Sequence, residues 1–364
     1  MSSEPPDSNV IAERLLQVID EGRRTATYKL ALLLALLDAC ATNADEQGRA
    51  PEALHTREIA RHVLRIYLPQ VREYLGAAAD PTHLKQITNK QSAVLGAVLR
   101  LHLAAQAAGL KRLEQIELHL SEEYEACLDK VEHTFARYPI LLLQVVGKEH
   151  RPFLYDVDWK QSVSLAALHT TGGGLVRFRP GAGDHLLRLA PLVRPLIELH
   201  WIQMVASINN IDLESEKLRA HLFGTERKAF PPVLRAGLRD VQDNRCFYCG
   251  NVLSTKTEVD HFIPWSRWPN DAIENLVLAD MCNNHKRDHL AAKDHVERWR
   301  THLEHHDSDL VDISSSASWI SERARSLAVA RTAYFHLPAG TPLWFSIGSF
   351  TDDDPAAIAA QLAA

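Results

Sequence analysis

Three cysteines, Cys246, Cys249 and Cys282, fall close together in this chain. The first two belong to Cys246-Phe247-Tyr248-Cys249-Gly250, a pair of thiols two residues apart with a glycine behind them. Such a turn presents two thiolates on one side of a tight loop, where each reaches a tetrahedral ion at about 2.3 Å. Redox pairs share this spacing but sit in a βαβ setting that the flanking sequence does not offer, so metal is the better reading. Between the pair and Cys282 lie Val259-Asp260-His261-Phe262-Ile263-Pro264 and Glu274-Asn275-Leu276-Val277-Leu278. Cys282 itself opens Cys282-Asn283-Asn284-His285-Lys286-Arg287-Asp288. An imidazole, whose pKa is near neutrality, can take a proton from water when it stands beside a carboxylate able to hold a cation.

The ordered set C-x-x-C, D-H-x-x-P, N-x-V-L and C-N-x-x-K-x-D resembles the HNH (ββα-metal) endonuclease family in its zinc-stapled form. Its last three elements, apart from Cys282, also resemble the HNH domain of CRISPR RNA-guided nucleases. The resemblance covers residues 229–305, a fifth of the chain. It implies metal-dependent hydrolysis of nucleic-acid phosphodiesters, with His261 as the general base and Asp260 as a ligand of a catalytic Mg²⁺ or Mn²⁺. Asn283 stands where other members carry the second protein ligand as His, and its amide oxygen is a hard donor suited to Mg²⁺. Asn275 is expected to hold the loop and orient the His261 ring, a role compatible with a plain Asx turn. Lys286, with Arg287 beside it, is expected to contact phosphate, or else to lie on a solvated helix face. Asp288 reads either as a partner of His261 or as an exposed acid.

The resemblance further implies a structural Zn²⁺ on Cys246, Cys249 and Cys282. Many members carry a second C-x-x-C ending at the cysteine before Asn. Here Ala279-Asp280-Met281-Cys282 lacks its first cysteine. His285, three residues past Cys282 on the same helix face, is the preferred fourth ligand, and Asp280 is the other candidate. Trp265 and Trp268 are expected to pack beneath the ββα unit, with a stacking or phosphate-contacting loop including Arg267 as the sharper alternative.

Composition sets limits around this site. The chain has 364 residues, 46% hydrophobic and 24% charged, as soluble globular proteins do. No basic-then-apolar leader opens it, and the run Leu30 to Leu37 is too short to span a bilayer, so a cytoplasmic protein without a membrane segment is expected. Cys40 and Cys127 read as buried thiols in helices, and an odd cysteine count argues against a disulfide framework. The net charge of −6 is unlike that of a dedicated DNA binder, so any nucleic-acid footprint must be local. Residues 54–114 hold nine Lys/Arg against four Asp/Glu, a surplus of +5 that suggests a basic face, and the stretch after them is acidic.

The elements that must position the site are mostly helical. The expected architecture is mostly α with a small α+β domain. Residues 1–145 form a helical domain open to a winged-helix reading, and residues 146–228 a small β element with connecting helices. Residues 229–305 form the HNH domain, and residues 306–364 a helix and tail packed on the helical part. Apolar residues recur at helical spacing in Ile59, Val63 and Ile66, and Lys29 to Cys40 is apolar nearly all round. Phe153–Val157 and Leu175–Phe178 carry β-formers between glycine and proline punctuation and suggest a hairpin or wing. Pro191 and Pro195 are expected to kink or split the helix that follows. Leu234–Gln242 reads as a lead-in helix, Lys286–Leu303 as an amphipathic helix with surface histidines, and the Ser314-Ser315-Ser316 run as the approach to a helix over Trp319–Tyr334.

Three functions are consistent with these residues. The first is an active HNH endonuclease, with DNA the favoured substrate. The second is a non-catalytic nucleic-acid-binding or partner-binding protein on a zinc-stapled scaffold, against which the joint presence of Asp260, His261, Asn275 and Asn283 speaks. The third makes the nuclease an effector that works with a protein partner in bacterial anti-phage defence or restriction, where the partner supplies substrate affinity.

Overall fold

The computed structural model describes residues 8–20, 26–75, 83–88, 92–146, 149–213, 216–223 and 230–363, with the Ser8, Glu216, Asn283 and Asn284 side chains outside the described set. The described chain is mostly helical, with four small antiparallel sheets. It divides into two compact units. One comprises Met1–Cys40 and Pro51–Glu226, the other Ala41–Ala50 and Arg227–Ala364. The division between the units falls near 227, with the ten-residue segment Ala41–Ala50 counted with the second unit.

In the first unit the helix Tyr28–Thr42 is buried on every side, as its unbroken apolar run requires. The helix Ala182–Asn209 is a single element in spite of Pro191 and Pro195 inside it, so the expected split does not occur. Its Arg194 pairs with Asp38 of the buried helix. The β element has three strands rather than two, because Ala53–His55 joins Leu175–Phe178 and Tyr155–Asp156 in one antiparallel sheet. Strand propensity alone could not anticipate the first of these, which is only three residues long.

Two arginines of the basic stretch 54–114, Arg57 and Arg65, are engaged by acids and not left open. The helix Thr56–Tyr67 packs on the acidic helix Ser121–Arg137. Arg57 reaches Asp129 at 2.5 Å and Glu132 at 3.0 Å and also pairs with Glu125, while Arg65 lies 3.7 Å from Glu114. Glu132 is fully buried and also accepts from Thr56 at 2.6 Å and from His169 at 2.9 Å. At Arg57 the basic and acidic stretches that the sequence shows as neighbours in a line are partners in space, and their charges cancel locally.

In the second unit the short hairpin Glu258–His261 with Leu276–Ala279 is followed by the helical turn Asn283–Lys286, a ββα arrangement. The helix expected over Lys286–Leu303 is broken. Arg287 takes a left-handed φ of 46°, which ends the turn, and the long helix begins again at Lys293–His305. That helix docks beneath the hairpin through Trp299, whose ring stacks on Phe262 at 4.6 Å and whose indole N–H donates to the Glu274 carbonyl at 2.8 Å. Its histidines are not all on the surface as expected. His295 is buried and stacked on Trp344, and burial holds the His302 imidazole down to about 4. The serine run is itself helical, closing the helix Asp307–Ala317, and the helix expected after it runs over Arg323–Phe335. The lead-in helix Pro232–Val241 packs on Asp307–Ala317 at Gly237, where an added Cβ would stand 2.6 Å from Ile313. The tail, expected against the helical part, has its contacts in this unit: Pro355–Gln361 packs on Arg323–Phe335, and the Trp344 amide donates to the Leu290 carbonyl. It also contains a hairpin, Leu343–Ser346 with Ser349–Thr351.

Candidate metal centre and general base

The cysteine knuckle is built by its own backbone. The Gly250 amide donates to the Cys246 carbonyl at 2.9 Å, and Gly250 adopts φ of 72°, a left-handed turn that suits glycine. The Phe247 amide donates to the Leu278 carbonyl at 2.9 Å, which fastens the knuckle to the second strand of the hairpin. Arg298 donates to the Phe247 and Tyr248 carbonyls, each at 2.7 Å, from the docked helix.

The sulfurs of Cys246, Cys249 and Cys282 all lie within 4.8 Å of one another. A tetrahedral zinc with Zn–S of about 2.3 Å sets its sulfurs about 3.8 Å apart, so this donor set fits the ion. The Cys246 and Cys282 sulfurs lie 3.2 Å apart, within reach of one shared proton. That contact, opposed by burial and helped by backbone amides that include Asp280, lowers the pKa of the Cys246 thiol, the direction that metal ligation needs. His285 is exposed and is not a member of the sulfur cluster. The Asp280 carboxylate is engaged by the Ser254 hydroxyl at 2.8 Å, while its amide faces the Cys246 sulfur at 3.4 Å. Neither candidate fourth ligand therefore joins the three thiols in this geometry. A pocket of about 490 Å³ opens beside Cys249 and Cys282, lined also by Arg298, Trp344 and Ile347, and it includes neither Asp260 nor His261.

Asp260 and His261 end the strand Glu258–His261, paired in register with Val277 and Leu276. The Asn275 side chain fixes the chain just past them. It accepts from the Ile263 amide at 2.8 Å and donates to the carbonyls of Ile263 and Asn270 at 3.1 and 3.0 Å. Asn275 thus holds the backbone that carries His261 and makes no bond to the ring. The imidazole is one-fifth exposed, and its Nε2 lies 2.8 Å from Asp271 Oδ1. Its ring stands against Trp265 at 5.3 Å and Phe230 at 6.2 Å. Trp268 is buried as expected, whereas Trp265 is a half-buried wall of the His261 site.

Lys286 overturns its sequence reading. It lies on no solvated face and is placed for no phosphate. It is completely buried, with its ammonium 3.0 Å from Asp260 Oδ2 and 2.8 Å from the His261 carbonyl. Burial lowers its pKa, and the Asp260 carboxylate pulls it back up. Tyr248 donates to the same Asp260 oxygen at 2.6 Å, which leaves Oδ1 as the oxygen Asp260 can offer a cation. Asp288 is likewise no partner of His261. It accepts from the Ser266 hydroxyl, and its carbonyl receives Arg267 at 3.3 Å, which ties the loop after Pro264 to the end of the helical turn. Asn283 lies on that turn, and its side chain falls outside the described residues.

Replacing Lys286 by Met tests its structural role. Removing one partner of a buried pair strands the other, at a cost of about 3–5 kcal/mol. The low end is expected, because Asp260 keeps the Tyr248 hydroxyl and its side chain is 20% exposed. Chemical denaturation should show the loss, while the salt dependence of nucleic-acid binding should be unchanged. A stable variant with a reduced salt slope would return Lys286 to phosphate contact.

Sequence reasoning missed Asp271, Tyr248 and Phe230. Tyr248 was visible inside the knuckle, where its placement next to a clustered thiol marks it as part of the site's frame. Asp271 carries no periodic signal, since it stands in the irregular stretch between Pro264 and the turn Ile273–Asn275.

Two family models match the chain. The model of an HNH endonuclease matches residues 246–292, the segment that holds the three cysteines, Asp260, His261, Asn275, Asn283 and Lys286. The model described as Domain of unknown function (DUF8808) matches residues 8–222. No curated protein and no solved structure matches the chain. The first match supports a nuclease-type domain that handles nucleic acid with divalent metal. Among the described residues no helix is long and apolar enough to cross a membrane.

Proposed function

This chain belongs to the family described as Domain of unknown function (DUF8808), and we propose that it couples that helical domain to a metal-dependent endonuclease that hydrolyses nucleic-acid phosphodiesters, with DNA the favoured substrate. The observation that carries the reading is a half-buried imidazole beside a carboxylate at the end of a short strand, within the segment matched by the HNH endonuclease model. His261 takes a proton from water, the hydroxide attacks phosphorus, and the bond from phosphorus to the leaving sugar oxygen breaks. Asp260 through Oδ1, with Asn283, would hold a Mg²⁺ or Mn²⁺ ion. Such an ion supplies charge neutralisation at the scissile phosphate and the leaving oxygen. Asn275 keeps the strand end in place, and Lys286 and Tyr248 fix which Asp260 oxygen faces outward. The three thiolates would carry a structural Zn²⁺ that holds the knuckle closed.

One observation favours the second reading, a non-catalytic nucleic-acid-binding scaffold. Lys286 already neutralises Asp260, which weakens the pull of that carboxylate on a cation. Purified protein incubated with plasmid, linear DNA and RNA, in Mg²⁺, Mn²⁺ or EDTA, separates the two. The nuclease gives cleavage with metal and none in EDTA. Binding that survives EDTA with no cleavage in any metal would leave the scaffold.

A further inference from the structure

We propose that Asp271 is a positioning residue that fixes the tautomer of His261, and that Trp319, outside the segment matched to the HNH endonuclease, holds Asp271 in place. A carboxylate at neutral pH only accepts hydrogen bonds. With Asp271 Oδ1 2.8 Å from Nε2, the proton of the neutral ring must sit on Nε2. Nδ1 then keeps its lone pair and is the nitrogen able to take a proton from water. The tilted faces of Trp265 and Phe230 stand on the ring and oppose its rotation. The logic is that of an acid–base histidine oriented by a third group, reached here by a loop residue ten positions downstream.

The loop is braced from the C-terminal side. The Trp319 indole N–H donates to the Asp271 carbonyl at 2.7 Å, and the Ile273 amide donates to the Ile320 carbonyl at 2.8 Å. Glu274 is buried and takes the Ser321 hydroxyl at 2.6 Å and the Glu322 amide at 3.0 Å. Trp319 also stands 5.6 Å from Phe230, the ring that faces His261. The stretch 319–322 therefore sets the path of residues 271–274, and through it the distance from Asp271 to the imidazole.

The tautomer is measurable by itself, and its consequence for rate rests on the nuclease reading. With ¹⁵N-labelled histidine, and the His261 resonances assigned by difference from His261→Gln, the neutral ring of the full-length protein should show its proton on Nε2. In Asp271→Ala the two tautomers should mix. Where cleavage is seen, kcat should fall about 10–100-fold, the usual cost of losing an orienting partner, with KM unchanged. Asp271→Asn can present either an acceptor or a donor to the ring, so its kcat should track whichever Nε2–H fraction the spectrum reports. Trp319→Phe, which keeps the ring and removes the donor, should move tautomer and rate in the same direction by less. A wild-type ring protonated on Nδ1, or an Asp271→Ala variant with unchanged tautomer and kcat, overturns the proposal. If the wild type cleaves nothing, the nuclease reading fails while the tautomer result still stands or falls alone. If His261→Ala is inactive and Asp271→Ala is not, the positioning role fails and the nuclease stands.

Discussion

Replacing His261 by Ala should reduce cleavage by about 10²–10⁴-fold, the usual cost of removing a general base, while the fold and the zinc content persist. Its ring touches Asp271, Trp265 and Phe230 from a partly exposed position, so truncation opens little buried space. The bond that matters for the frame, from the Lys286 ammonium to the His261 carbonyl, is made by the backbone and survives the substitution. Asp260 behaves differently. Asp260→Ala would leave the Lys286 ammonium buried with one fewer acceptor, so it should lose stability as well as activity. Asp260→Asn keeps an oxygen and is the fairer test. It and Asn283→Ala should weaken the catalytic cation, and excess Mg²⁺ or Mn²⁺ should recover part of their rate, whereas His261→Ala should show no such recovery. A gel assay across a metal titration distinguishes the classes. Wild-type and His261→Ala proteins that cleave equally fast would remove His261 from the chemistry, however well its spacing fits the motif.

The legible part of this site was the part that chemistry fixes at short range. Cys246 and Cys249 lie in one turn, and a thiol pair followed by glycine has few uses. Asp260 and His261 are adjacent, so wherever one is placed the other follows. Of the two roles expected of Asn275, holding the loop and orienting the His261 ring, its side-chain bonds are to the loop backbone. What escaped were residues whose meaning depends on how the chain returns. Lys286 read as a solvated cation because lysine usually is one, and the reading fails because a four-residue helical turn sets it under the strand with Asp260 as its partner. Arg57 read as part of a basic face, yet its neutralising acids lie about 70 positions away on a helix packed against it. His285 stood at a spacing that a metal accepts, but its side chain projects to solvent rather than to the sulfurs. Asp271 had no signal because its place beside His261 is set by a brace from residues 319–322. Local pattern identifies candidate ligands, and the surrounding fold decides which way they face.

The knuckle leads to the other large effect. Each strand of the hairpin is four residues long, and an isolated hairpin of that size is marginal in water. Its support comes from the knuckle, through the Phe247 amide on Leu278, the Phe247 ring against Phe262 at 5.8 Å, and Tyr248 on Asp260. That knuckle is closed by three thiols and one glycine turn. A bound zinc, worth on the order of 10 kcal/mol in small zinc-dependent folds, would therefore do more than any other contact to hold residues 240–290 together. Elemental analysis of protein purified without added metal should give one zinc per chain. Cys282→Ser, or treatment with a strong chelator, should lower zinc occupancy and make this segment rapidly cleaved by protease. Cleavage of nucleic acid should fall with it, since Asp260 and His261 share the hairpin that Phe247 anchors. His285→Ala should leave zinc at one per chain, because His285 is not among the clustered donors. A lowered zinc content in that variant would restore His285 to the ligand set, and a zinc-free protein with a protected knuckle would show that packing of Phe247, Tyr248 and Arg298 suffices without metal.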